Sequence, residues 1–414
     1  MVSPETAPAT APETMPGTST APKAAPDLSI LIVSWNTRAM TRACLASVEA
    51  GLAGPGAPTV EMIVVDNAST DGSAEMIAAE FPRVRLIHNT ENRGFAAANN
   101  QGFAIARGRH VLLLNSDTLV HGDVLAASVA WLDAHPRSGA MGCRVLNTDG
   151  SVQLTCSMYP SLLNLALQLS GLGKVAWPTP LGRVLGRYRM PGWARDSTRA
   201  VEVISGCYLM VRRSVIDTVG GLNEAFFFYG EETDWCRRIR AAGWELTFAP
   251  VGEITHHGGG SVRALDHRRD VLLSEATVRL HRKHAGRAGG LAAFGLTVAF
   301  NASRALYWSL RAGVSPGNTH ARTRARHFRA VLAATPQIWP RPAPSGTTLP
   351  DTAGAAQATA RPGTPPPTPP LGGSPGASPD RGACAPPTSP ATTPPRHTPD
   401  PQAGSRDHAR DGTA

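Results

Sequence analysis

Four times in the first 117 residues, a short apolar run ends in a polar loop and then passes into a helix-like spacing. That repetition limits the fold more than any other feature of the chain. The runs are residues 28–33 (LSILIV), 60–65 (VEMIVV), 84–88 (VRLIH) and 110–114 (HVLLL). After the first run, Met40, Cys44, Leu45 and Val48 share one face of a helix over residues 38–50. After the second comes a turn, Asp66 to Gly72, with Asp71 or Ser73 as helix cap. Strand–loop–helix units in series predict an α/β domain, with a mostly parallel sheet covered by helices on both faces. Ligands bind such sheets at the carboxyl ends of the strands. Asn36, Asp66 and Asp117 each follow a strand at that end. A single residue of this kind serves equally well as a turn former or cap. Several acids and amides converging on one edge point to a site. No G-x-G-x-x-G follows the first strand and no P-loop pattern occurs, which disfavours a dinucleotide dehydrogenase and a P-loop NTPase. What remains is phosphate handling through a metal, with Asp117 as its hard oxygen ligand.

Composition sharpens the boundaries. Of 36 prolines in 414 residues, 24 fall in residues 1–26 and 341–414. Those stretches carry almost no large apolar side chains to offset the entropy of ordering, so both are expected to be disordered tails. The expected organisation is therefore a tail over 1–26, an α/β domain over 27–262, a basic helical appendage over 263–340 and a Pro-rich tail over 341–414. Six cysteines stand far apart without a C-x-x-C pair, which suggests neither a zinc site nor a disulfide framework. Residues 1–26 hold no apolar run of the signal-peptide kind, and the longest such run, Gly289 to Phe300, is too short to span a bilayer. A cytoplasmic protein is expected. Residues 262–329 hold 13 Lys/Arg against 3 Asp/Glu while the whole chain carries a formal +9, so positive charge is concentrated there. An Arg-rich amphipathic element of this kind suits an anionic membrane surface, at the inner face of the cell membrane, or simply water. Nucleic acid is not expected as a partner.

Seven ordered segments then resemble one family, the inverting family 2 glycosyltransferases of the GT-A (Rossmann-like) fold. The branch resembled contains bacterial rhamnosyltransferases and galactofuranosyltransferases. The segments are ILIVSWN (30–36), IVVDNASTDGS (63–73), NRGFAAANNQG (92–102), LLLNSDT (112–118), ISGCYLMVRR (204–213), GGLNEAFFFYGEETDWCRRIRAAGW (220–244) and ITHHGGGS (254–261). Each alone is weak; their order and spacing are specific.

The resemblance implies roles for particular residues. Asn36, Asp66, Asn92 and Asp117 would bind the nucleotide, Asp66 through its base or ribose. Asn115-Ser116-Asp117 stands at the D-x-D position, where Asp117 would hold Mg²⁺ or Mn²⁺ against the donor diphosphate. His256 would complete that metal site, although the adjacent His257 has the same claim on spacing. Inverting transfer needs a carboxylate to take the acceptor proton. Glu232 stands at the family's base position, usually Asp, with Glu231 and Asp234 as fallback acids. Acids in the first turn also stabilise a helix through its dipole. Arg237 and Arg238 follow at helical spacing, able to hold phosphate or to pair with those acids. The expected activity is transfer of a sugar, rhamnose from its dTDP donor being favoured, to a glycan or lipid-linked glycan in cell-envelope polysaccharide synthesis. The competing reading is a non-catalytic nucleotide-sugar or glycan-binding protein on the same fold.

Overall fold

The computed structural model describes residues 24–176, 179–258 and 267–339. The tail readings over 1–23 and 341–414, the sixth cysteine (Cys384) and residues 259–261 of the seventh segment lie outside these. The first half runs β1 (Leu28–Ser34), α1 (Arg38–Gly51), β2 (Val60–Asp66), α2 (Ser73–Glu80), β3 (Arg85–His88), α3 (Gly94–Ile105) and β4 (His110–Asn115), as the periodicity predicts. Helix α2 starts on Gly72 in the left-handed region, and Asp71 Oδ1 accepts from the Ser73 amide at 3.1 Å. Asp71 therefore caps the helix from one residue further out than an ordinary N-cap.

Strands β3, β2, β1 and β4 lie side by side and parallel. Their register pairs Ser34 with Asp66 and Val33 with Asn115, so the loops after β1, β2 and β4 open at one level. Alternate residues face opposite layers. Ile30 and Ile32 pack with Cys44, Leu45, Met76 and Leu125, whereas Leu31 and Ile63 pack with Ala96, Phe103 and Trp235. Both faces are covered, which is why these strands read as continuous apolar runs rather than alternating ones.

The chain continues through β5 (Thr118–Val120), α4 (Val124–Ala134) and β6 (Ser138–Leu146). An excursion follows: β7 (Cys156–Ser157), α5 (Leu162–Ser170), α6 (Leu172–Val175), α7 (Pro180–Leu185), β8 (Arg199–Ala200) and β9 (Val203–Ile204). Strands β7 and β9 pair and close its neck. Inside it the Arg195 guanidinium is wholly buried and donates to the carbonyls of Cys156, Arg189, Met190 and Trp193 at 2.9–3.1 Å. Trp193 packs edge-on against Phe248 with ring centroids 4.9 Å apart.

Strand β10 (Tyr208–Arg212) runs antiparallel between β4 and β6. It is followed by α8 (Arg213–Val219), α9 (Glu231–Ala241) and β11 (Glu245–His256), the last parallel to β6 and antiparallel to β5. The sheet order is β3-β2-β1-β4-β10-β6-β11-β5, with β8 on β11. The C-terminal region holds α10 (His267–Val314), α11 (Thr319–Ala333) and α12 (Thr335–Ile338). Helix α10 is broken at Ala285 and Gly286, the latter with φ +68°. The break falls just before the apolar run from Gly289 to Phe300.

Gly94 shows how closely two loops approach. Its φ is +80°, and a Cβ there would lie 2.4 Å from the Phe227 carbonyl oxygen and 2.9 Å from the Phe227 ring. Gly94→Ala is expected to cost roughly 2–4 kcal/mol, from the left-handed backbone and the clash together. A denaturant melt checks this, and an unchanged midpoint would refute the crowding.

Candidate active site

The loops at the carboxyl edge, the start of β10, the turn before α9 and the first turns of α10 line one open cleft of about 1280 Å³. Two clusters of ionisable groups face it.

The first cluster forms where β4 ends. Pairing of β11 with β5 sets His256 opposite Thr118, and the His256 Nε2 lies 3.2 Å from Asp117 Oδ1. The other ring nitrogen, Nδ1, donates to Gln153 Oε1 at 2.7 Å. The orientation of that amide is fixed, because Gln153 Nε2 donates to Asn147 Oδ1 at 2.8 Å. With the proton on Nδ1, Nε2 is a lone-pair donor, and Asn115 Nδ2 donates to it at 3.2 Å. A carboxylate oxygen and an imidazole lone pair thus face each other, an arrangement that suits a cation. The residues fit a divalent ion held by Asp117 and His256. Among the described residues no three His, Cys, Asp or Glu side chains cluster as a complete cage. His257 is exposed and does not line the cleft; only its backbone amide participates, donating to the Asp117 carbonyl at 2.9 Å. Geometry therefore favours His256 over its neighbour.

Asp66 ends β2 wholly buried, beside the cleft-lining Asn67 but not itself lining the cleft. Its Oδ2 accepts from the Ser69 amide at 3.0 Å, while its Oδ1 is buried without a protein partner. Asn92 lines the cleft, and its Oδ1 accepts from Asn67 Nδ2 at 2.9 Å and from the Gly94 amide at 3.0 Å. Asn36 corrects the sequence reading. It is exposed, has φ +52°, and its Oδ1 accepts from the Thr70 amide at 2.7 Å. Asn36 laces two loops together, and Val33 and Trp35 line the cleft instead.

The second cluster opens α9. Tyr229 and Gly230 both take left-handed conformations, with φ +70° and +87°, and deliver Glu231 and Glu232 to the cleft. Each glutamate has a buried Oε2 without a hydrogen-bond partner. The helix dipole and nearby amides favour the carboxylate form, but burial outweighs them and raises both groups. Glu231 is pushed well above its ordinary range by burial and then by the charge of Glu232.

Asp234 is the second correction. It is wholly buried and does not line the cleft. Its Oδ1 accepts from His284 Nε2 at 2.7 Å and its Oδ2 from Arg238 Nε at 3.0 Å, and Lys283 Nζ lies 3.0 Å from Oδ1. Burial alone would raise this carboxyl, but the hydrogen bond from His284 and the Lys283 and Arg238 charges bring it down to about 2. It is therefore neither a base nor an acceptor contact. Arg238 pairs with it, and Arg237 stacks over Tyr159 at 4.4 Å, so neither arginine is turned toward phosphate in the cleft. Sequence reasoning missed Gln153, which no motif marks. It also missed Asn67, which sits beside Asp66 in the second segment and lines the cleft.

Comparison with known proteins places the first half of the chain in a family. Residues 29–219 match the family model described as "Glycosyl transferase family 2". Over 212 residues the chain is 32% identical to N-acetylglucosaminyl-diphospho-decaprenol L-rhamnosyltransferase of Mycobacterium tuberculosis, covering 48% of this chain and 66% of that protein. It is 26% identical over 251 residues to the O-antigen biosynthesis protein RfbC of Myxococcus xanthus, covering 58% of this chain and 18% of that one. Among solved structures, the mannosyltransferase PcManGT from Pyrobaculum calidifontis, in complex with GDP-Man and Mn²⁺, is similar with a TM-score of 0.44 and 19% identity. That similarity covers 76% of this chain and 87% of the other.

Proposed function

We propose, for a chain that carries a glycosyl transferase family 2 domain over residues 29–219, inverting transfer of a sugar from a nucleotide-diphosphate donor to a hydroxyl of a glycan or lipid-linked glycan. The setting proposed is cell-envelope polysaccharide synthesis. One observation carries this reading: buried Glu231 and half-buried Glu232, each with a buried, unpartnered Oε2, share a cleft with the Asp117–His256 pair. The nucleotide lies over the β1–β2 loops, with the free Oδ1 of Asp66 accepting from it and Asn92 beside it. Asp117 and His256 hold Mg²⁺ or Mn²⁺, which neutralises charge on the diphosphate when bound. The acceptor oxygen attacks the anomeric carbon from the face opposite the diphosphate. The glycosidic C–O bond to phosphate breaks, its electron pair leaves on the diphosphate, and Glu232 takes the acceptor proton. Rhamnose from dTDP-rhamnose is the donor proposed, because the M. tuberculosis relative is named a rhamnosyltransferase. Incubation with a panel of labelled nucleotide sugars and Mg²⁺ or Mn²⁺, read by mass spectrometry, tests this. Absence of hydrolysis or transfer with every donor would overturn it.

The residues 263–340 appendage is proposed to meet the inner face of the membrane. Leu306, Leu310 and Val314 are exposed on α10 near Arg304 and Arg311, and no helix among the described residues is long and apolar enough to cross a bilayer. Binding to vesicles rich in phosphatidylglycerol is expected, weakened by salt and by Leu306→Glu with Leu310→Glu. Equal binding to neutral vesicles, or none to either, would count against it.

A further inference from the structure

We infer that Asp234, Lys283 and His284 are positioning residues for the two glutamates, so that α10 completes the reaction centre as well as any surface it presents. The kinetic part of this inference rests on the transferase reading above.

The turn that delivers Glu231 and Glu232 is unfavourable by itself, because Tyr229 is held in a left-handed conformation next to Gly230. Such a backbone persists only where its surroundings over-determine it, and here α10 supplies much of that support. Phe226 is buried against Ala276 and Leu280 of α10, with Tyr229 packed alongside. Arg269 Nε donates to the Tyr229 hydroxyl at 3.1 Å. The strongest link is polar. The Asp234 amide closes the first turn of α9 on the Gly230 carbonyl at 2.8 Å, while its carboxylate takes His284 at 2.7 Å and Lys283 at 3.0 Å. Lys283 and His284 are the last two residues before the break at Ala285 and Gly286, so the helix runs unbroken only as far as this clasp. Both lie beyond the residues matched by the family model, as do the glutamates themselves. A basic face exposed to water or lipid would not place a histidine that is only 14% exposed on a wholly buried carboxylate. Displacing a reacting group by about 1 Å costs on the order of a hundredfold in rate. Loosening this clasp should therefore be visible in turnover.

The test uses the full chain with His284→Ala, Lys283→Met and Lys283→Arg. Hydrogen–deuterium exchange reads amide protection over residues 226–235, and steady-state kinetics read kcat and donor KM. Expected for His284→Ala and Lys283→Met are exchange in that segment faster by about tenfold and kcat lower by about tenfold or more, with donor KM within about twofold. Lys283→Arg, which keeps the charge, should recover most of both. Unchanged exchange in that segment, unchanged kcat, or a loss confined to KM would overturn the positioning role. If His284→Ala does not fold, the two Lys283 variants decide, because that side chain reaches the surface. If the unmodified chain transfers no sugar, the transferase reading fails. Exchange over residues 226–235 then decides the positioning role alone.

Discussion

Glu232→Gln is expected to lower sugar transfer by about 10²–10⁴-fold while leaving donor binding, read by calorimetry, nearly unchanged. Glutamine keeps the shape of the side chain and removes its ability to take a proton, so a loss of this size isolates proton transfer. The environment makes the prediction specific. Burial raises the Glu232 carboxyl above its ordinary 4.5, and a base works only when deprotonated. Turnover should therefore fall as pH drops through that raised value, placing the acid limb of the rate profile above the range of an exposed glutamate. Glu231→Gln is the comparison. It removes a charge that burial and Glu232 both disfavour, so its effect on rate should be smaller. If Glu231→Gln abolishes transfer and Glu232→Gln does not, the base has been assigned to the wrong glutamate.

Asp117→Asn should reduce turnover by about 10²–10³-fold, because it removes the one carboxylate that faces His256 in the cleft. Here the loss should appear in binding as well as in rate. Calorimetric donor affinity in the presence of Mg²⁺ or Mn²⁺ should fall, whereas affinity without the ion should change little. Asn115 stands where a second acid could have been and offers its amide to His256 instead. Gln153→Leu offers a graded comparison: losing the bond that fixes His256 should weaken ion-dependent donor binding by about 10–100-fold. Donor affinity that ignores the ion in the unmodified chain would refute the assignment of both residues.

Much of the first half was legible because its signals are local. The apolar runs at residues 28–33, 60–65, 84–88 and 110–114 became four adjacent parallel strands, and the loop after each opened at the shared edge. The direction of β10 was not legible, since its antiparallel pairing with β4 and β6 depends on partners up to about a hundred residues away. The same division holds in the site. Asp117, Glu231, Glu232 and His256 sit in recognisable segments and line the cleft, whereas Asp66 lies buried next to the lining residue Asn67. Asn36 and Asp234 belong to equally recognisable segments but have other duties, decided by Thr70 and by Lys283 with His284. Nothing in the local sequence of a first-turn aspartate announces a clasp supplied fifty residues later.

The excursion closed by β7 and β9 departs from the end of β6 and returns at the start of β10, next to β6 in the sheet. Arg195 holds its interior together through carbonyls of the excursion and its neck. The excursion reaches the cleft through Tyr188 and Arg189. The neck is not its one tie to the sheet, because β8 pairs with β11 and Trp193 packs on Phe248, so the wall carrying Tyr188 and Arg189 is framed by the same sheet that presents Asp117 and His256.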